Sequence, residues 1–392
     1  MNIAEREVKM VDLQGQLARI RPEIDDAIDG VLSSCSFIGG EEVTLFAKEL
    51  ASYLHVDHVI PCANGTDALQ IALMAIDLKP GDEVIVPAFT YAASAEAIAL
   101  LRGVPVFVEV DPATFNVTLD TIAQAVTSRT KAIIVVHLFG QSCEMEPIME
   151  WATTHHLFVI EDAAQALGAQ YTLSESSKPS FVGTIGHIGC TSFFPTKNLA
   201  CMGDGGALMT NDAELAEKVR CLASHGQSVK YHHDLIGCNS RLDALQAAIL
   251  RVKLRHLPDY LAMRYEVAAC YDNGLSNFQM LTLPLQNVHP ERHTYNQYTI
   301  RLPQATLQKR DRFCAYLQAE GIPTMVYYPL PLHRQLAFAG CARAIDPEGN
   351  INRGLPVSES LCNEVVSLPM HTELTPEEQH YIIRKIIEYP FF

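Results

Sequence analysis

Closely spaced cysteine pairs are missing from this sequence. No CxxC occurs, and the eleven cysteines stand singly, among them Cys35, Cys62, Cys190, Cys201 and Cys362. An odd number of scattered thiols gives no disulfide framework and no zinc ribbon, so reduced and mostly buried cysteines are expected. Positive charge is also scarce. With 29 Lys and Arg against 45 Asp and Glu the formal net charge is −16, which disfavours nucleic acid as a general partner, because a phosphate backbone needs a basic face. An acidic surface can still hold a local basic pocket for a small anion. No apolar run approaches the length that spans a bilayer, so no membrane insertion is expected. The start, MNIAEREVKM, is charged where a secretory signal would be apolar, and a cytoplasmic location is expected. The histidines include pairs at His155/His156 and His232/His233, but without metal-ligand spacing and supporting carboxylates, so no metal is expected.

What is present is ample apolar material, 48% of 392 residues, enough for one large domain and a smaller one. In the first half, short β-branched runs alternate with helix-like stretches, the pattern of a parallel sheet with crossover helices. Candidate strands are Asp82–Pro87, Val104–Val110, Ala132–His137, Phe158–Glu161, Thr191–Phe194 and Gly206–Thr210. They are near-continuously apolar, as strands buried on both faces should be. Helices are expected at Tyr91–Leu101 and Leu119–Val126, and an exposed polar loop at Leu173–Gly183. A long helix, Leu245–Met263, should break or bend at Pro258. Beyond it come a strand at Tyr298–Leu302, a helix at Leu307–Glu320, a Pro-rich stretch, and a last helix from Pro376 to Ile387 capped by Thr375. The expected organisation is therefore α/β, with a large, mostly parallel sheet domain over 1–255 and a smaller C-terminal α+β domain over 256–392.

Two strand ends carry the chemistry. Leu157–Gly168 reads LFVIEDAAQALG, an apolar strand ending in Asp162, and Thr191–Gly206 reads TSFFPTKNLACMGDGG, a second strand followed by Lys197. In an open parallel sheet both residues point to the edge where ligands bind. A lysine to hold an aldehyde and a carboxylate to balance a protonated pyridine nitrogen are the two halves of a pyridoxal-phosphate site. Alone, the lysine reads as a solvated loop residue and the Asp as a helix cap. In ANGTDAL, Gly65 and Thr66 precede an apolar helical run, where exposed N–H groups would seat a phosphate.

Together with VPAFTYAASAE, the HGQ sequence, GCNSRLDALQAAIL and YYPLPLH, these motifs resemble the DegT-type sugar nucleotide aminotransferases, pyridoxal-phosphate enzymes of fold type I. The likeness runs from about Val11 to Met370. It implies that Lys197 is the catalytic lysine bonded to the cofactor and that Asp162 is the partner of the pyridine nitrogen. It implies Gln165 beside the phenolic oxygen, Gly65, Thr66 and Ser192 at the phosphate, and Tyr91 stacked on the ring. Asn239 is implied to reach the phosphate of a neighbouring subunit, which makes a homodimer with shared active sites; exposed apolar residues are expected around Leu242–Leu250. Lysine rather than histidine at position 197 argues for transamination over dehydration.

The leading expectation is an aminotransferase that moves an amino group from L-glutamate to a keto nucleotide sugar. GCNSRLDALQAAIL and HGQ with its following YHH are most like the branch acting at C3 of a UDP-linked 2-acetamido-3-oxo-glucuronate, for lipopolysaccharide or other surface polysaccharide synthesis. Lys230, Tyr231, Tyr327 and Tyr328 are the candidates for reading the sugar carboxylate. The alternatives are a dTDP-linked 3- or 4-keto-6-deoxyhexose as substrate, another pyridoxal-phosphate reaction such as dehydration or carbon–sulfur cleavage, and a non-catalytic binding or regulatory relative.

Overall fold

A computed structural model of the chain describes residues 8–174, 176, 178–285, 293–351 and 354–390. Residues 1–7 of the charged start, and Glu175 and Ser177 of the expected polar loop, lie outside the described residues. The chain is organised by an eight-stranded sheet in the order His58–Cys62, Gly206–Thr210, Ile188–Ser192, Phe158–Asp162, Thr130–Val136, Glu83–Pro87, Val104–Val108, Arg343–Ile345. Neighbours pair in parallel except at Gly206–Thr210, which is antiparallel to both strands beside it. The apolar runs are buried as their composition requires: Val84, Ile85, Val86, Ile133, Ile134 and Val159 are fully covered.

One exception is Glu83, a buried carboxylate at the start of its strand. It accepts hydrogen bonds from Arg129 Nε at 3.1 Å and Arg343 Nη1 at 2.8 Å. A buried charge needs such partners, and the second of them ties the outermost strand to the sheet.

A second core surrounds the antiparallel pair Tyr298–Arg301 and Val365–Leu368, with Tyr271, Phe313, Leu317, Ile382 and Ile386 among its members. Residues beyond 255 serve both cores, since Arg343–Ile345 returns to the large sheet and Leu332, Phe338 and Leu361 pack into its core. The last helix, Pro376–Ile387, begins as its sequence dictates. Thr375 Oγ1 accepts from Glu378 N at 3.3 Å, and Glu378 Oε2 accepts from Thr375 N at 2.9 Å, the reciprocal capping box.

The helix expected to break or bend at Pro258 does not break: it continues through that residue over Ala244–Leu275. Proline withholds one hydrogen bond from Leu254, but packing holds the helix on either side: Leu254 and Leu257 lie against Phe46 and Leu50, and Val267 and Tyr271 enter the second core. Nor are the apolar residues at Leu242–Leu250 exposed. Two N-terminal helices, Leu13–Ser34 and Gly40–Leu54, cover them through Ile20, Ile24, Val31 and Phe46. Among the described residues, no helix is long and apolar enough to cross a membrane.

Candidate active site

Four adjacent parallel strands end at one edge of the sheet, and the segments leaving them converge there. Asp162 is the last residue of its strand, in register with Val136 on one side and Cys190 on the other. Its side chain is buried. Ser94, in the first turn of the Ala93–Leu100 helix, donates its hydroxyl to Asp162 Oδ2 at 2.7 Å, and Ala164 N donates to Oδ1 at 3.2 Å. Nothing in AASAEAI distinguishes Ser94 from a small helix residue, so sequence reasoning missed it.

Lys197 follows the Ile188–Ser192 strand and is half-buried. Burial pushes its ammonium down to about 8, against the opposing pull of the Asp162 carboxylate. Among the described residues, no hydrogen bond or ion pair engages its Nζ. The neighbouring Asn198 is buried with neither amide atom bonded, and Thr90 and Thr191, next to Tyr91 and Ser192, also bury unbonded hydroxyls. Buried polar atoms without partners are uncommon; here they cluster in sequence around the expected cofactor contacts.

Gln165 lies one turn beyond Asp162. The backbone N–H of Phe139 donates to its Oε1 at 2.7 Å, and its Nε2 donates to Tyr328 Oη at 3.2 Å. Phe139 takes a left-handed φ of 59° to present that N–H, and Gly140 follows at φ 104°. A Cβ on Gly140 would stand 2.5 Å from Thr294 Oγ1, so only glycine lets this turn close against the Thr294 segment. The fixed amide leaves Gln165 with one further N–H to offer. Burial raises the Tyr328 hydroxyl well above its ordinary range, and its ring centroid lies 6.2 Å from that of Tyr91, which is itself largely exposed.

The phosphate seat begins the Gly65–Ala75 helix. Asn64 Oδ1 caps Asp67 N at 2.8 Å. The N–H groups of Gly65 and Thr66 have no carbonyl behind them within the helix and are free for an anion. Gly65 is a point of close approach: a Cβ there would meet Ser192 Cβ at 2.7 Å. Ser192 is half-buried beside it. The seat is tied to the GCNSR segment by Ser240, whose buried Oγ accepts from Ala63 N at 3.1 Å, while Asn239 is exposed.

The structure therefore brings together Lys197, Asp162, Gln165 and Tyr328 at the strand ends, with Tyr91 against Tyr328, and Gly65, Thr66 and Ser192 at the helix start. These residues fit pyridoxal phosphate. An amine without a partner, a buried carboxylate held by two donors and a helix N-terminus closed to any side chain at Gly65 match its aldehyde, ring nitrogen and phosphate. The four sugar candidates are split. Lys230 and Tyr231 sit on the exposed hairpin of Gln227–Val229 and His232–His233, with Lys230 Nζ 5.3 Å from the Tyr231 ring centroid. Tyr327 and Tyr328 are half-buried beside the site, and Tyr328 is engaged with Gln165. No contact joins the two pairs among the described residues.

Known proteins match this chain over nearly its whole length. The sequence pattern of the DegT/DnrJ/EryC1/StrS aminotransferase family matches residues 18–387. The chain is 46% identical to a pleiotropic regulatory protein of Geobacillus stearothermophilus, over 97% of this chain and 98% of that protein. It is 44% identical to a UDP-2-acetamido-2-deoxy-3-oxo-D-glucuronate aminotransferase of Pseudomonas aeruginosa, over 94% of this chain and 96% of that enzyme. The crystal structure of DesV from S. venezuelae in complex with a ketimine intermediate matches with a TM-score of 0.89 at 37% identity, covering 98% of each chain.

Proposed function

The chain belongs to the DegT/DnrJ/EryC1/StrS aminotransferase family, and on that premise we propose that it moves the amino group of L-glutamate to C3 of a UDP-linked 2-acetamido-3-oxo-glucuronate, in the cytoplasm, for surface polysaccharide synthesis. It is a sugar aminotransferase of fold type I and depends on pyridoxal phosphate. The observation that carries the reading is the meeting of Lys197, Asp162 and Gln165 at one sheet edge.

Pyridoxal phosphate, when bound, supplies an aldehyde that captures amines and a ring that takes up electrons. Asp162 keeps positive charge favourable at the ring nitrogen. Gln165 is locked by Phe139 so that it presents an N–H, which suits an anionic phenolic oxygen. Gly65, Thr66 and Ser192 hold the phosphate. The lowered basicity of Lys197 fits it both to bond the aldehyde and, when free, to take and return a proton. Support for the uronate comes from the likeness to the Pseudomonas aeruginosa enzyme. The direct test is conversion of the 3-keto uronate with glutamate as donor, beside a dTDP-linked keto-6-deoxyhexose; preference for the latter overturns the uronate assignment alone.

The reading includes a homodimer in which Asn239 reaches the partner's phosphate. Support comes from exposed apolar residues near it in sequence, Val229, Tyr231 and Ile236, the last 91% exposed. Mixing Lys197→Ala and Asn239→Ala proteins is then expected to restore activity, because one site of each heterodimer is intact. A monomer with full activity, seen by light scattering, removes the sharing.

Lys230, exposed on its hairpin, is assigned to the sugar carboxylate across that same interface. Lys230→Ala should raise KM for the uronate roughly 30- to 1000-fold, the size of a lost partly buried charge contact, with little change for the matching neutral hexose. Equal effects on both sugars would count against a carboxylate contact.

A further inference from the structure

Ser94 is fully buried, and its one hydroxyl proton is committed to Asp162 Oδ2 at 2.7 Å. A serine in the first turn of a helix commonly turns its hydroxyl to local backbone. This one reaches instead across to the strand end that carries the expected partner of the pyridine nitrogen. Asp162 Oδ1 is held in turn by Ala164 N at 3.2 Å. An ionised carboxylate offers about four lone-pair directions, so one on each oxygen is occupied and the carboxylate plane is fixed.

We propose that Ser94 is a positioning residue that orients Asp162 and holds the proton it shares with the bound cofactor on the ring nitrogen rather than on the carboxylate. This rests on the pyridoxal-phosphate reading above and adds to it a residue that neither contacts substrate nor bonds the cofactor. A donor to an anionic carboxylate stabilises the anion, and an O–H to a buried carboxylate is among the stronger protein hydrogen bonds. Asp162 and a pyridine nitrogen compete for one proton. The Ser94 hydroxyl weakens the carboxylate's claim, and without it the proton moves towards Asp162.

The test uses cofactor labelled with 15N at the ring nitrogen and bound to the full-length protein, with the nitrogen chemical shift followed against pH. In the native protein the signal should stay that of a protonated ring across the range where the fold persists. Ser94→Ala should still take up the cofactor through Lys197, but its nitrogen signal should move towards that of an unprotonated ring throughout that pH range, because the proton passes from the ring to Asp162 within the site and none leaves to solvent. This corresponds to a roughly ten- to hundredfold change in the proton's distribution, the size expected for one hydrogen bond to a charge. Ser94→Cys keeps the volume with a weaker donor and should fall between the two. A Ser94→Ala protein that folds, binds cofactor and shows the native nitrogen profile overturns the proposal. So does a Cys variant identical to Ala, which would leave only a packing effect. Native protein that takes up no cofactor at all contradicts the functional reading itself and is seen before any variant is compared.

Discussion

Lys197→Ala is expected to abolish turnover, by more than about 10⁴-fold, because a covalent anchor and an acid–base group are lost together. The structure adds a pH signature. The amine must be neutral to bond an aldehyde, and its neutral share grows as pH rises through the folded value. With that value down to about 8 instead of 10.5, the neutral share at pH 7 is roughly 300-fold larger than for an ordinary lysine. Cofactor uptake by the native apoenzyme should accelerate with pH, levelling off just above 8. Continued acceleration towards 10.5 would mean that the amine is solvated, and retained turnover in Lys197→Ala would remove its catalytic role.

Asp162→Asn is expected to have the second-largest effect and to separate binding from chemistry. The amide preserves shape, and Ser94 can reverse its hydroxyl to accept from the new NH₂, so the local packing survives. What is lost is the negative charge facing the ring nitrogen. At about 1.4 kcal/mol per pKa unit, a drop of two to three units in ring basicity corresponds to roughly 100- to 1000-fold in kcat. Cofactor affinity should change far less, since Lys197 and the Gly65–Thr66 turn remain. Near-normal kcat would show that another group protonates the ring.

The large sheet was legible because a parallel strand buried on both faces must be apolar nearly throughout. Strand direction was not: GALMT reads the same whichever way it runs, and Gly206–Thr210 proved antiparallel. The N-terminal helices carried no motif, so the face at Leu242–Leu250 looked free when the chain's own Ile20, Val31 and Phe46 cover it. In the site, Lys197 and Asp162 stood out because a charge ending an apolar strand is conspicuous. Ser94 and the Phe139 N–H did not, since one is a small residue in an alanine-rich run and the other is backbone, on which sequence is silent. The role of Tyr328 beside Gln165 depends on a contact between residues 163 apart in sequence, which no local pattern encodes.

The central claim, that this chain works through pyridoxal phosphate bonded to Lys197, has one direct measurement. The cofactor-loaded protein is reduced with borohydride and digested, and the pyridoxyl-bearing peptide is identified by mass spectrometry. The account predicts a single label within TSFFPTKN, on Lys197. A label on any other lysine, or none on fully loaded protein, contradicts it.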